Sequence, residues 1–235
     1  MKKSVWIDLA LTLAIGVAVC TGLFIYSVFV DHGPVYDYLF LNVGLGVIPL
    51  LLSWRLVYLL RTKRWSAWEP LIVSFLWLIF LPNSFYMVSD YIHLRSISSS
   101  TILLNAVMFT AFIFLSLAFG IISLYLVHVE LKKRLSAKTA GGIVLIILLA
   151  CCFAIYLGRY LRWNSWDFIV NPAGLLFAIS NQLLKPRDYP RIIKTVIIFF
   201  GLIGSIYLIS WRSARVLWHK GVVDMARHLR KRGQA

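Results

Sequence analysis

Six near-continuous apolar runs constrain this chain more than any other feature does. They cover residues 6–30, 35–54, a stretch opening near Pro70, 101–129, 141–157 and 192–210. Each approaches or exceeds the roughly 20 residues that carry a helix across a bilayer. Hydrophobic residues make up 60% of the 235, above the roughly half found in soluble domains. The reading is an all-α fold, a polytopic transmembrane helical bundle of about six spans. Its core is helix against helix, with lipid outside. Residues 169–184 are apolar but interrupted by Asn171, Pro172, Gly174 and Asn181. As helix they reach only about 24 Å, short of a roughly 30 Å hydrocarbon core. They are expected to form a re-entrant or interfacial segment.

Charge gives the runs a direction. Lys and Arg number 24 against 9 Asp and Glu, a net charge of +15. The cations gather between apolar runs, at Arg55, Arg61, Lys63 and Arg64 and again at Lys132, Lys133, Arg134 and Lys138. That pattern fits the positive-inside rule and anionic headgroups, and it argues against nucleic acid as a partner. It predicts a multi-pass protein of the cell membrane with both termini cytoplasmic. Residues 1–210 then form the transmembrane domain and 211–235 a basic cytoplasmic tail. In that tail Ala214, Trp218, Val222, Met225 and Leu229 recur at helical spacing, as in an amphipathic helix lying on the inner leaflet. The basic stretch 185–194 is the discordant item, because six spans leave it outside.

Small residues predict where helices approach. Ala10, Ala14, Ala18 and Gly22 form a stripe that admits another helix backbone, from this chain or from a second copy. Gly44, Gly46 and Pro49 invite a bend or a tight crossing, and Gly201 with Ser205 offers another close-contact pair. Asn42 is suited to an interhelical hydrogen bond. Cys20, Cys151 and Cys152 sit inside apolar runs without zinc-site spacing and read as small apolar side chains.

Two segments carry more polarity than an anchor needs. In the first, residues 81–95, Asn83, Tyr86, Asp90 and His93 are spaced three, four and three apart, which shares one helix face. Pro82 loosens the helix where that face begins. Asn105 enters the fourth span at the same level and can face Asn83. In the second, residues 158–172, Arg159 and Arg162 suit a bidentate phosphate or carboxylate contact. Trp163 and Trp166 anchor at headgroup depth. Asp167 stands five residues from Arg162, a poor pairing distance on one helix, so its partner is expected from another segment. These residues are expected to converge near the outer surface. In a catalytic reading His93 carries a proton, Asp90 orients it, and Arg159 with Arg162 clamps an anion. In a structural reading Asn83, Tyr86, Asn105, Asn164 and Asp167 hold helices together. Asp90 and His93 supply two metal ligands, fewer than a zinc site needs, so no metal is assigned; with Asp167 added, a mixed metal site is the alternative. The sequence leaves the cofactor unknown.

Residues 81–94 (LPNSFYMVSDYIHL) and 158–168 (GRYLRWNSWDF) resemble the bacterial membrane-protein family catalogued as domain of unknown function 1361. Family members typically read proline-asparagine-alanine-proline-tyrosine where this chain has Ser84 and Phe85 before Tyr86. The resemblance implies a multi-pass membrane protein and brings no activity with it. Residues 64–69 (RWSAWE) also echo 162–167 (RWNSWD), on opposite faces in this topology, as an inverted repeat would be. With no HExxH, GxSxG or phosphate-loop motif, an accessory or assembly role is the leading expectation. An enzyme acting on a lipid-linked substrate and a small-solute or lipid transporter are the alternatives.

Overall fold

Uninterrupted apolar sequence leaves a backbone in lipid few ways to satisfy its N–H and C=O groups, and each run accordingly folds as a helix. The structure is a computed structural model and describes residues 3–31, 36–96, 101–184 and 190–232. Its elements are α1 (Lys3–Asp31), α2 (Tyr38–Leu59), α3 (Trp68–Tyr86), a 3-10 helix (Met87–Ser96), α4 (Ile102–Lys132), α5 (Ala137–Leu161), α6 (Asp167–Val170), α7 (Pro172–Leu184) and α8 (Pro190–Arg232). Six are long and apolar enough to cross a membrane: α1, α2, α3 with the 3-10 helix that continues it, α4, α5 and α8. Among the described residues there is no strand. The protein is a multi-pass helical membrane protein.

α4 is the central helix and touches α1, α2, α3, the 3-10 helix, α5 and α8. Its most apolar stretch is 61% buried, against 11% for α1. Small residues explain the tightest crossing. A Cβ on Gly46 of α2 would stand 2.6 Å from Ser116 Oγ, and one on Gly120 of α4 would stand 2.7 Å from Phe85. Ser84 Oγ donates to the Gly46 carbonyl at 2.7 Å, and Ser116 Oγ donates to the Ser84 carbonyl at 2.9 Å. Two turns along α3 and α4, Trp77 donates to Ser123 Oγ and Ser123 donates to the Pro49 carbonyl. Such interhelical bonds contribute about 0.6 kcal/mol each in lipid.

The helices alternate in direction. At one end Arg134 Nη2 donates to the Leu60 carbonyl at 3.3 Å, which ties the two basic turns together. Trp6 of α1 meets Trp54 of α2 there, and His128 of α4 bonds the Tyr207 hydroxyl of α8 at 2.8 Å. We call this the basic end. At the far end Ser27 of α1 donates to Asn105 of α4.

Several expectations change. The Ala10, Ala14, Ala18 and Gly22 stripe is exposed and makes no intramolecular seam. Gly16 faces α4 instead, where an added Cβ would stand 2.9 Å from Leu115. A Cβ on Gly44 or Gly201 would meet nothing within 4 Å, so neither makes the expected close contact. The two echoing segments do lie at opposite ends, but they open helices of 19 and 4 residues, which removes the inverted-repeat reading. α7, with 13 residues, is too short to span. α8 runs through residue 211 without a break; the tail's amphipathic pattern past Leu217, the serines before Thr101 and the loop 185–189 lie outside the described residues or side chains.

Candidate functional site

The polar face of α3 is built by a change of helix type. Pro82 sits inside α3, and its missing N–H weakens the ladder locally. After Tyr86 the chain tightens into the 3-10 helix for 10 residues, far longer than the usual three or four. With three residues per turn, Asp90 and His93 stack one above the other. Across from them, Gly158 lets α5 come close: an added Cβ there would lie 3.0 Å from the Tyr86 ring. That approach delivers Arg159.

Arg159 is the hub. Its Nη2 donates to Asp90 Oδ1 and, at 2.6 Å, to Ser89 Oγ; its Nε donates to the same hydroxyl at 3.0 Å. Nη1 faces His93 Nε2 at 3.4 Å. Arginine only donates, so that contact uses a His93 lone pair. The guanidinium carbon lies 4.9 Å from the Tyr86 ring centre, a cation–π distance. Asn42 donates to the second Asp90 oxygen at 3.1 Å. Asp90 is 1% exposed and its charge is neutralised in place. All three Arg159 nitrogens are engaged, so an incoming anion would have to compete with Asp90.

Apart from Ser89, these groups line a cavity of about 340 Å³ between α2, α3, the 3-10 helix, α5 and the loop before α6. Asn83, Tyr86, Asp90, His93, Arg159 and Asn164 are all on its wall. Ser165 fastens the loop, accepting from Asn83 Nδ2 at 2.9 Å and donating to the Ile79 carbonyl at 3.0 Å. Tyr38 reaches in from α2, with its ring 5.4 Å from that of His93. The Tyr38 hydroxyl is buried and has no hydrogen-bond partner among the described residues.

Arg162, Asp167 and Asn105 do not line the cavity. Arg162 is exposed and caps α5 in the left-handed region, φ 58°. Asp167 takes its bond locally, accepting from the Asn164 amide at 2.6 Å, so no separate segment supplies its described partner. Asn105 accepts from Ser27 and donates to the Thr101 carbonyl, while Asn83 goes to Ser165. Among the described residues no three His, Cys, Asp or Glu side chains cluster as a metal would require.

The match to known families falls on this region. The model of a family described as a protein of unknown function, DUF1361, matches residues 41–207. The chain belongs to family DUF1361. Among curated proteins and solved structures, none matches it significantly. The DUF1361 region holds every cavity residue named above except Tyr38, which precedes it. Sequence reasoning missed Tyr38, Ser89 and Ser165. Serines and tyrosines are ordinary in and beside apolar helices, and only Ser89, adjacent to Asp90, carried a usable signal.

Proposed function

We propose that this protein is an accessory component of the cell membrane that holds a small neutral polar group in the far-end cavity without chemically converting it. The observation that carries this reading is the Tyr38 hydroxyl, buried at the cavity wall with no partner among the described residues. A buried hydroxyl left unbonded is costly, and a ligand oxygen or nitrogen would satisfy it. Asp90 and Arg159 cancel one another, so the wall favours hydroxyl or amide groups over a net charge. About 340 Å³ suits a small solute or a lipid headgroup, at the low end of ligand sites. By the charge rule the basic end faces the cytoplasm and the cavity faces outward. His93 beside the bound group favours one rival, an enzyme on a lipid-linked substrate.

The test compares wild type with Tyr38→Phe, purified in mild detergent and extracted for mass spectrometry. A neutral polar species should accompany the wild type and fall about fivefold in the variant, the worth of one hydrogen bond, at unchanged melting temperature. Recovery in the aqueous phase identifies a solute, and recovery in the organic phase a lipid. Identical extracts from both proteins would refute the proposal. Conversion of the species on incubation with wild type but not with His93→Gln would replace it with the enzyme reading.

A further inference from the structure

α4, α5 and α8 enclose a second cavity, of about 470 Å³, at the basic end. Ala137 and Gly141 of α5 line it, whereas Gly158 and Arg159 line the first. On α5 the lining of this cavity ends at Leu148 and that of the first begins at Ala154, so the two share no lining residue and stand about 9 Å apart at their nearest, and this one is independent of the function proposed above. Its floor is made by absent side chains. A Cβ on Gly141, Gly201 or Gly204 would meet no atom within 4 Å. These glycines open space; they do not bring helices together. The walls beside them are apolar, with Val144, Leu148 and Phe200.

One end of the groove is cationic. Lys132, Arg212 and Arg215 line it and are exposed. Their neighbours Lys133 and Arg134 are paired with Glu130, but among the described residues no carboxylate pairs with these three. Lys132 lies 5.3 Å from the Trp211 ring centre, and Trp211 stacks on His128 at 3.9 Å. A tryptophan beside lysine and arginine is the arrangement of a headgroup layer. From Arg212 back to Gly201 the helix rises about 16 Å, close to half of a roughly 30 Å hydrocarbon core. The groove is one leaflet deep, cationic at the water side and apolar toward the midplane.

We propose that this groove is a binding site for an anionic phospholipid. Its phosphate sits on Arg212, Arg215 and Lys132, and one acyl chain lies over Gly201 and Gly204 against Val144 and Leu148. A free phosphate would use only the cationic end and leave the glycine-opened channel empty. A zwitterionic lipid would fill the channel but bring its own quaternary ammonium to the three cations, and its headgroup would not neutralise them.

Native mass spectrometry of the full-length protein, offered phosphatidylglycerol and phosphatidylcholine in equal amounts, tests this. The wild type should retain phosphatidylglycerol over phosphatidylcholine by about tenfold. Arg212→Gln with Arg215→Gln should lower that retention about thirtyfold, from two lost cations. Gly204→Leu keeps every charge and should also lose the lipid, because its side chain fills the channel. Inorganic phosphate should not compete. Equal retention of the two lipids by the wild type would overturn the proposal, as would competition by inorganic phosphate. Undiminished retention in a folded Gly204→Leu would do the same, since the cations would then act as a diffuse surface. The wild-type preference and the phosphate competition need no variant and stand even where a substitution prevents folding. Tyr38→Phe should leave the lipid in place, which separates this result from that at the far-end cavity.

Discussion

Replacing Asp90 and Arg159 singly and together tests whether their pair ties α5 to the 3-10 helix. Asp90→Leu removes a carboxylate that is 1% exposed and strands the guanidinium. Arg159 keeps Ser89 and the Tyr86 face, and its side chain is 16% exposed, so the cost belongs at the lower end for a broken buried pair, about 3 kcal/mol. Arg159→Met strands Asp90 with Asn42 as its one described donor, again about 3 kcal/mol or more. The double variant leaves no stranded charge and fills similar volume with apolar atoms. It should lie within about 2 kcal/mol of the wild type, because buried pairs replaced whole are often near neutral. The coupling between the two sites is then about 4 kcal/mol. The assay is dodecyl-sulfate unfolding of the purified protein in mixed micelles, followed by tryptophan fluorescence. Single losses that simply add in the double variant would refute the reasoning, since the pair would then contribute nothing of its own.

Three further expectations use the same assay. Gly120→Val drives a side chain toward Phe85 and Ser84, where even a Cβ would stand 2.7 and 2.8 Å away, and should cost about 1–3 kcal/mol by overpacking; Gly44→Ala, in open space, should stabilise by about 0.5 kcal/mol through helix propensity. Arg162→Gly relieves a left-handed residue at φ 58° and should stabilise by about 1 kcal/mol, whereas a loss of stability would mean that the Arg162 side chain holds a partner.

The fold was legible because hydrophobic length is a strong signal and lipid leaves a backbone few options. The spans lay close to where the apolar runs put them, and residues 169–184 were too short to cross on arithmetic alone. Small residues were harder to read. Sequence shows a stripe but not which way it points. Ala10, Ala14, Ala18 and Gly22 look better spaced for a seam than the lone Gly16, yet Gly16 takes the contact because Cys20 and Ser27 on its side are buried against the bundle. Gly201 shows the same ambiguity: glycine permits close approach and equally permits empty space.

The site was legible in its outline and not in its pairings. A spacing of three puts Asp90 and His93 near one another in either helix type, but an α-helix turns about 100° per residue and leaves them about 60° apart, whereas three residues of 3-10 helix complete one turn. Only that tighter winding sets both on a line that one guanidinium can meet, and nothing in the residues after Tyr86 announces it. Asp167 illustrates the opposite case. Its unpaired position pointed to a distant cation, but the Asn164 amide was three residues away and free of helix bonding. A carboxylate opening a helix satisfies such an amide with little loop to close, and that local bond needs no other helix to be in place. Asp90 had no comparable loop amide, so the long-range partner, Arg159, fell to the carboxylate that lay deepest in the bundle.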